Sequence, residues 1–181
     1  MNVFEAISKR REITEFLEKP IPSEILERVL NAAYLAPSGN NLPSREFVLV
    51  TEEQTLKRLA NATPYMPWLS NAAAGIVITG CPHVSKYWLQ DASISSGFIW
   101  LSAVESGLGT AFGAIYHAED PDESARRENY ARETLAIPAN RRVVAIMGLG
   151  YPKEQPAPKE LIPREVIVHY GKFGIKKDFE G

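Results

Sequence analysis

The sequence predicts one compact domain in which helices alternate with buried strands, and three observations carry that expectation. The chain has 181 residues, is 45% hydrophobic and holds no low-complexity stretch, so it can bury a sizeable core as a single domain. Four apolar runs of strand length, at 47–50, 75–81, 110–115 and 142–148, are punctuated by turn residues, and the first looks covered on both faces. Between them lie stretches with helical spacing, of which 87–106 leaves few positions for solvent. Neither Gly107-Leu108-Gly109 nor Gly148-Leu149-Gly150 opens a helix after a first strand, so a dinucleotide-binding fingerprint is absent.

Composition removes several function classes. Twenty basic and twenty-two acidic residues are interleaved, with a net charge of -2, so no field draws in nucleic acid or an anionic membrane. Cys81 is the only cysteine, which rules out an intrachain disulfide and fits a reducing compartment. Residues 1–11 are amphipathic and end in charges, unlike a signal peptide, and no apolar run approaches the roughly 20 residues of a membrane span. The expectation is a soluble, cytoplasmic protein with neither a nucleic-acid nor a membrane partner. No Ser-His-Asp order, paired carboxylate, or His-x-x-His or Cys-x-x-Cys spacing stands out. Hydrolytic and metal chemistry therefore lack a signature, and no side chain is singled out as catalytic.

In chain order, Val3 and Ile7 predict a short helix over 2–8, followed by the basic bend Lys9-Arg10-Arg11. That bend reads either as a solvated charge run or as a phosphate clamp, since two arginines present forked donors to a dianion. Ile25, Leu26, Val29, Leu30, Ala33 and Tyr34 space a second helix, with Pro22 near its start and Ser23 as cap. Pro37 stops it and opens the turn Ala36-Pro37-Ser38-Gly39-Asn40-Asn41-Leu42-Pro43. The small polar side chains there either satisfy their own backbone or meet a ligand with many polar edges. A helix containing Leu56 and Leu59 follows the first strand.

Residues 63–71 carry two prolines among Tyr65, Met66 and Trp68, and read as an irregular segment that covers the core or lines a planar pocket. Cys81 reads as a packing residue and His83 as a loop histidine. Ala92, Ser93, Ser95, Ser96 and Gly97 make the helix over 87–106 a candidate dimer seam or a tightly packed core element. Residues 121–135 read as a polar surface helix capped by Asp120, with Arg126 and Arg127 solvated. Tyr151-Pro152 then begins a proline-spaced extended tail through Pro163, and residues 162–170 read as a final strand. Such an arm embraces a second subunit or wraps its own domain.

Four of these segments, Lys9-Arg10-Arg11-Glu12-Ile13-Thr14-Glu15-Phe16, Ala36-Pro37-Ser38-Gly39-Asn40-Asn41, Gly107-Leu108-Gly109-Thr110 and Gly148-Leu149-Gly150-Tyr151-Pro152, resemble in order the motifs of the flavin-dependent nitroreductases. They cover nearly the whole chain. The resemblance implies an α+β fold, a mixed sheet wrapped by helices, in an intertwined homodimer with two FMN sites at the subunit interface. Residues 1–181 then form one FMN-binding domain, with 152–181 as an arm around the partner. Arg10 and Arg11, with Lys159, match positions that bind the FMN phosphate and the flavin's polar edge, and Glu12 and Thr14 belong to the same motif. Pro37, Ser38 and Asn41 match the turn given by the other subunit. Ala114 and Ile115 match the strand end whose backbone amide faces the reactive flavin nitrogen. The implied activity is a two-step one, in which NADH or NADPH is the electron donor and a flat small-molecule acceptor such as a nitroaromatic or quinone is reduced.

This sequence departs from the family pattern at several positions. Glu12 stands where serine is usual, Thr14 where a cation is usual, Leu161 replaces another cation, and Pro43-Ser44-Arg45 replaces Gln-Pro-Trp. Fewer cations and an added carboxylate weaken the hold on a phosphate unless Glu12 pairs with Arg11. The alternative readings are a flavin-binding or storage module without turnover, and a superfamily enzyme with another substrate, such as a reductive dehalogenase or a flavin-degrading enzyme.

Overall fold

The computed structural model describes residues 1–154 and 156–176. Its centre is a sheet of β1 (Arg45–Val50), β2 (Ala74–Gly80), β3 (Gly109–Ala114) and β4 (Arg142–Gly150) in the order β1-β2-β4-β3, with every ladder antiparallel. A parallel pairing enters as the isolated bridge Glu12↔Thr110, which lays the arginine bend beside β3. Both faces are covered, which is why β2 and β4 read as unbroken apolar runs rather than as an alternation. On one face Ile76, Ile78 and Met147 meet Leu26, Val29 and Ala33 of α2 (Ser23–Leu35) and Ala92, Ile99 and Ala103 of α4 (Trp88–Glu105), on which α1 (Val3–Lys9) rests. On the other, Val77 and Ile146 meet Leu56 and Leu59 of α3 (Glu53–Leu59) and Ala131 of α5 (Pro121–Leu135).

A β-bulge interrupts the central ladder. Ile78 pairs with Ala145 but Thr79 pairs with Val143, leaving Val144 as an extra residue in β4. The Val144 carbonyl accepts from the amides of both Ile115 (3.1 Å) and Tyr116 (3.0 Å), so the bulge also turns the chain at the end of β3. Just before that turn, Gly113 lets the buried Met66 lie on the sheet: a Cβ there falls 2.0 Å from the Met66 sulfur and 3.2 Å from the Ile146 carbonyl. Gly113→Ala is therefore expected to destabilise the protein by about 1–3 kcal/mol, read as a lower urea midpoint at unchanged slope.

The helices start and stop largely where the sequence places them, with local differences that have physical causes. Asn2 caps α1 through a capping box with Glu5. Pro22, not Ser23, is the N-cap of α2, and it makes no side-chain cap bond. Residues 63–71 are irregular and end in the 3-10 turn Pro67–Asn71. In α4 the small residues divide: Ser95 and Ser96 are buried and bond back to the carbonyls of Asp91 and Ala92, while Ser93 and Gly97 stay outside with Ile94 and Phe98. Cys81 is buried, and burial pushes its thiol up.

Two expectations fail. Arg127 is not solvated: it is 7% exposed, and its neighbour Glu128 is 2% exposed, because both reach inward from α5 to ionic partners. Residues 162–170 do not form a strand. Pro163 starts the single helical turn α6 (Arg164–Ile167), and no strand follows β4 among the described residues. Residues 156–163 before it have no regular structure, as the prolines dictate.

Candidate functional site

The arginine bend is built where α1 ends. Arg10 is the C-cap of α1, and its guanidinium lies over the Trp100 ring of α4, 4.7 Å from the centroid. The same indole donates to the Arg11 carbonyl at 3.1 Å, so one aromatic residue fixes both arginines. The Arg11 guanidinium bonds the carbonyls of Ser8 (2.8 Å) and Arg10 (2.7 Å), and its Nε bonds that of Ala157 (3.1 Å). This last contact draws the tail, two residues before Lys159, onto the bend. Glu12 makes no ion pair with Arg11 among the described residues, and its backbone bridges Thr110. Thr14 faces elsewhere, lining an open cleft of about 1030 Å³ with Phe16, Glu53, Asn71 and Lys153.

From the bend, the outer edge of β3 runs to Ala114. The Ile115 amide is committed to Val144, and by the antiparallel alternation the amide and carbonyl of Ala114 point the other way, out of the sheet. Thr110 and Ala114 are four residues apart, about 13 Å of strand. Of the two expected positions, Ala114 rather than Ile115 has an amide free to meet a ligand. Its carbonyl is reached by Nη1 of Arg127 at 3.4 Å. Arg127 also bonds Glu123 at 2.7 Å and lies 5.9 Å from the Tyr65 ring, so the irregular segment 63–71 stands beside the end of β3. The Arg126 guanidinium, and then that of Arg127, hold Glu123 down at about 2, so this clasp stays ionised through the neutral range.

The turn with Pro37, Ser38 and Asn41 sits at the other end of α4. Ser38 donates to the Leu42 carbonyl (2.9 Å), and the Gly39 amide donates to Asp91 in the first turn of α4 (2.8 Å). Asp91 and Trp100 are nine residues apart, about 14 Å along the helix axis. No hydrogen bond or ion pair among the described residues links this turn to the arginine bend. The structure thus brings together Arg10, Arg11, Glu12 and the tail before Lys159, carries the edge on to Ala114, and leaves the asparagine turn apart.

A family profile described as "Nitroreductase family" matches residues 7–80. An Archaeoglobus fulgidus protein with a provisional NADH dehydrogenase/NAD(P)H nitroreductase designation is 35% identical over 153 residues, 82% of this chain and 84% of its own. The chain belongs to the nitroreductase family. Among solved nitroreductase structures, the FMN-dependent nitroreductase of Clostridium difficile R20291 superposes with a TM-score of 0.86 at 29% identity, over 94% of this chain and 99% of its own. The NADPH-flavin oxidoreductase of Vibrio harveyi is 25% identical over 95% of this chain and 75% of its own.

Against that nitroreductase fold, three residues stand out: Trp100 and Asp91, which the sequence did not single out, and Arg127, which it placed in solvent. Trp100 and Arg127 gave no signal, because an aromatic in an apolar helix and an arginine in a charged one both look ordinary. Asp91 gave one: it is an acid in a helix that leaves few positions for solvent, and it is 3% exposed. No group of three or more metal-ligating side chains occurs among the described residues. No helix there is long and apolar enough to cross a membrane.

Proposed function

We propose that this chain is an FMN-dependent NAD(P)H oxidoreductase that reduces flat acceptors such as nitroaromatics and quinones, working in the cytoplasm as a homodimer with the flavin between subunits. The observation that carries the reading is the β3 edge, in a chain of this family. At one end the Arg10 guanidinium rests on Trp100 with no acceptor among the described residues, and at the other the Ala114 amide points out of the sheet. The cationic end offers forked donors to a phosphate, and the amide end offers a donor to the edge of a ring. The exposed Asn40 and Asn41 side chains likewise have no partner among the described residues and offer neutral donors and acceptors to a heteroatom-rich ring.

Bound FMN supplies the two-electron chemistry between the reduced nicotinamide and the acceptor. The chain's own groups bind, orient and shield. Arg10 and Lys159 hold the phosphate, Arg11 fixes the tail that carries Lys159, and Ala114 hydrogen-bonds the ring edge. Pro37, Ser38 and Asn41 of a second copy close the site. An apolar surface of Val3, Phe4 (82% exposed) and Ile7 on α1, with Ile94 and Phe98 on α4, supports association of two copies, with the tail from 152 as the embracing arm; of the expected span 152–181, residues 155 and 177–181 lie outside the described residues.

Anaerobic titration tests the activity. Protein supplemented with FMN is expected to be yellow, to bleach with NADH or NADPH, and to recolour with a quinone or nitroaromatic. Failure to take up FMN, or to bleach with either nucleotide, ends the reading, and uptake without bleaching marks a flavin-storage protein instead. Because Glu12 is not neutralised by Arg11, Glu12→Ser is expected to tighten FMN by about threefold in a flavin fluorescence titration. An unchanged dissociation constant removes Glu12 from the phosphate end.

A further inference from the structure

Asp91 is the one buried carboxylate among the described residues that has no cation at hydrogen-bond distance and two partners on a single loop. Its Oδ1 accepts from the Gly39 amide at 2.8 Å and its Oδ2 from the buried Ser44 hydroxyl at 2.5 Å, so one side chain grips the asparagine turn near its start and just beyond its end. Between those two grips lie Asn40 and Asn41, both with φ of 55°, a left-handed conformation that asparagine tolerates better than other non-glycine residues and that the flanking bonds hold in place. Gly39 is pressed against Tyr87, where a Cβ would come within 2.5 Å of the ring, so the turn has no room to slide along α4. Arg45 reinforces the hold. Its guanidinium bonds the Ala36 carbonyl, and its Nε bonds the Ser95 hydroxyl (3.1 Å), which itself bonds the Asp91 carbonyl (2.9 Å).

All of these bonds face inward. The side chains of Asn40 and Asn41 remain exposed and without a partner among the described residues, displayed from a left-handed, doubly anchored loop. We infer that Asp91 is a positioning residue for ligand binding: it holds Gly39 and Ser44 so that the asparagine turn presents neutral amide groups to the ring system of the flavin. This deepens the flavin reading above and rests on it. Asp91 does not touch the ligand and is not a catalytic residue.

The division of labour along the site makes this testable. Arg10 serves the phosphate, which riboflavin lacks, whereas the asparagine turn serves the ring, which both molecules share. In titrations of intact protein with FMN and with riboflavin, Asp91→Ala is expected to weaken both by the same factor of about tenfold, the scale of losing a buried hydrogen-bond pair. Asp91→Asn is expected to stay near wild type for both, since its carbonyl oxygen still accepts from Gly39 and its amide still reaches Ser44. Arg10→Ala is expected to weaken FMN alone. A residue that only supported the fold would lower the melting temperature while the folded fraction bound both flavins as before.

Unchanged affinities in a folded Asp91→Ala protein overturn the inference while leaving the flavin reading intact. So does a loss confined to FMN. Wild-type protein that binds neither flavin overturns both. If Asp91→Ala does not fold, Ser44→Ala removes one of the two grips, and equal weakening of both flavins supports the inference while unchanged affinity overturns it.

Discussion

Replacing Glu128 with alanine is expected to lower stability by about 3 kcal/mol at neutral pH, toward the lower end of what breaking a buried ion pair costs because Arg142 is partly exposed. Glu128 accepts two bonds from Arg142 (2.7 and 2.8 Å), one from the Ser124 hydroxyl (2.8 Å) and one from the Val143 amide (3.0 Å). Removing it strands a guanidinium and a buried backbone donor together. Arg142 is also stacked over Tyr116 (4.8 Å) and near Trp88 (5.5 Å), which meet edge to face, so the pair ties α5, β4, the start of α4 and the turn after β3 into one knot. Burial by itself pushes the Glu128 carboxyl up, but the Arg142, Ser124 and Val143 bonds outweigh it and hold the group below the usual carboxylate range. A carboxyl lowered on folding adds stability above its ordinary value of 4.5, and that contribution disappears as pH falls through the lower folded value. The gap between wild type and variant, measured by guanidinium denaturation, should therefore be full at pH 7 and shrink in acid. A difference below about 1 kcal/mol at pH 7 would remove the knot from the account of stability.

That knot also shows where sequence reading stops. Residues 121–135 look like a solvated surface helix because they are polar along their length, and nothing local reveals that Arg127 and Glu128 turn inward to partners on β3 and β4. The strands were legible, since a sheet covered on both faces needs unbroken apolar runs. The bulge at Val144 was not, because an extra valine inside Arg142-Val143-Val144-Ala145-Ile146 leaves the apolar pattern unchanged. At the site, the basic bend and the asparagine turn announced themselves by composition. Their supports, Trp100 and Asp91, act from α4 across long sequence separations. The apolar residues of 162–170 suggested a strand, whereas Pro163, lacking a ladder donor, starts a helical turn there instead. The two candidate segments were thus easier to find than the residues that anchor them.

Coexpressing Arg10→Ala and Asn41→Ala chains is expected to restore about a quarter of the wild-type FMN sites, although each variant alone binds FMN weakly. The arithmetic follows from symmetry. If every site takes the arginine bend from one chain and the asparagine turn from its partner, a homodimer of either variant has a lesion in both sites. A mixed dimer concentrates both lesions in one site and leaves the other whole. Random pairing makes about half the dimers mixed, and half of their sites are intact. The separation of the two motifs along α4, with no hydrogen bond or ion pair between them among the described residues, is what motivates the scheme. Were each chain to build its own site, every site in the mixture would keep one lesion and coexpression would restore nothing. Counting bound FMN per protomer at a concentration near the wild-type dissociation constant separates the two outcomes. The apolar surface formed by Val3, Phe4, Ile7, Ile94 and Phe98 adds a control, because a charge introduced at Phe98 should abolish the recovery by keeping the chains apart.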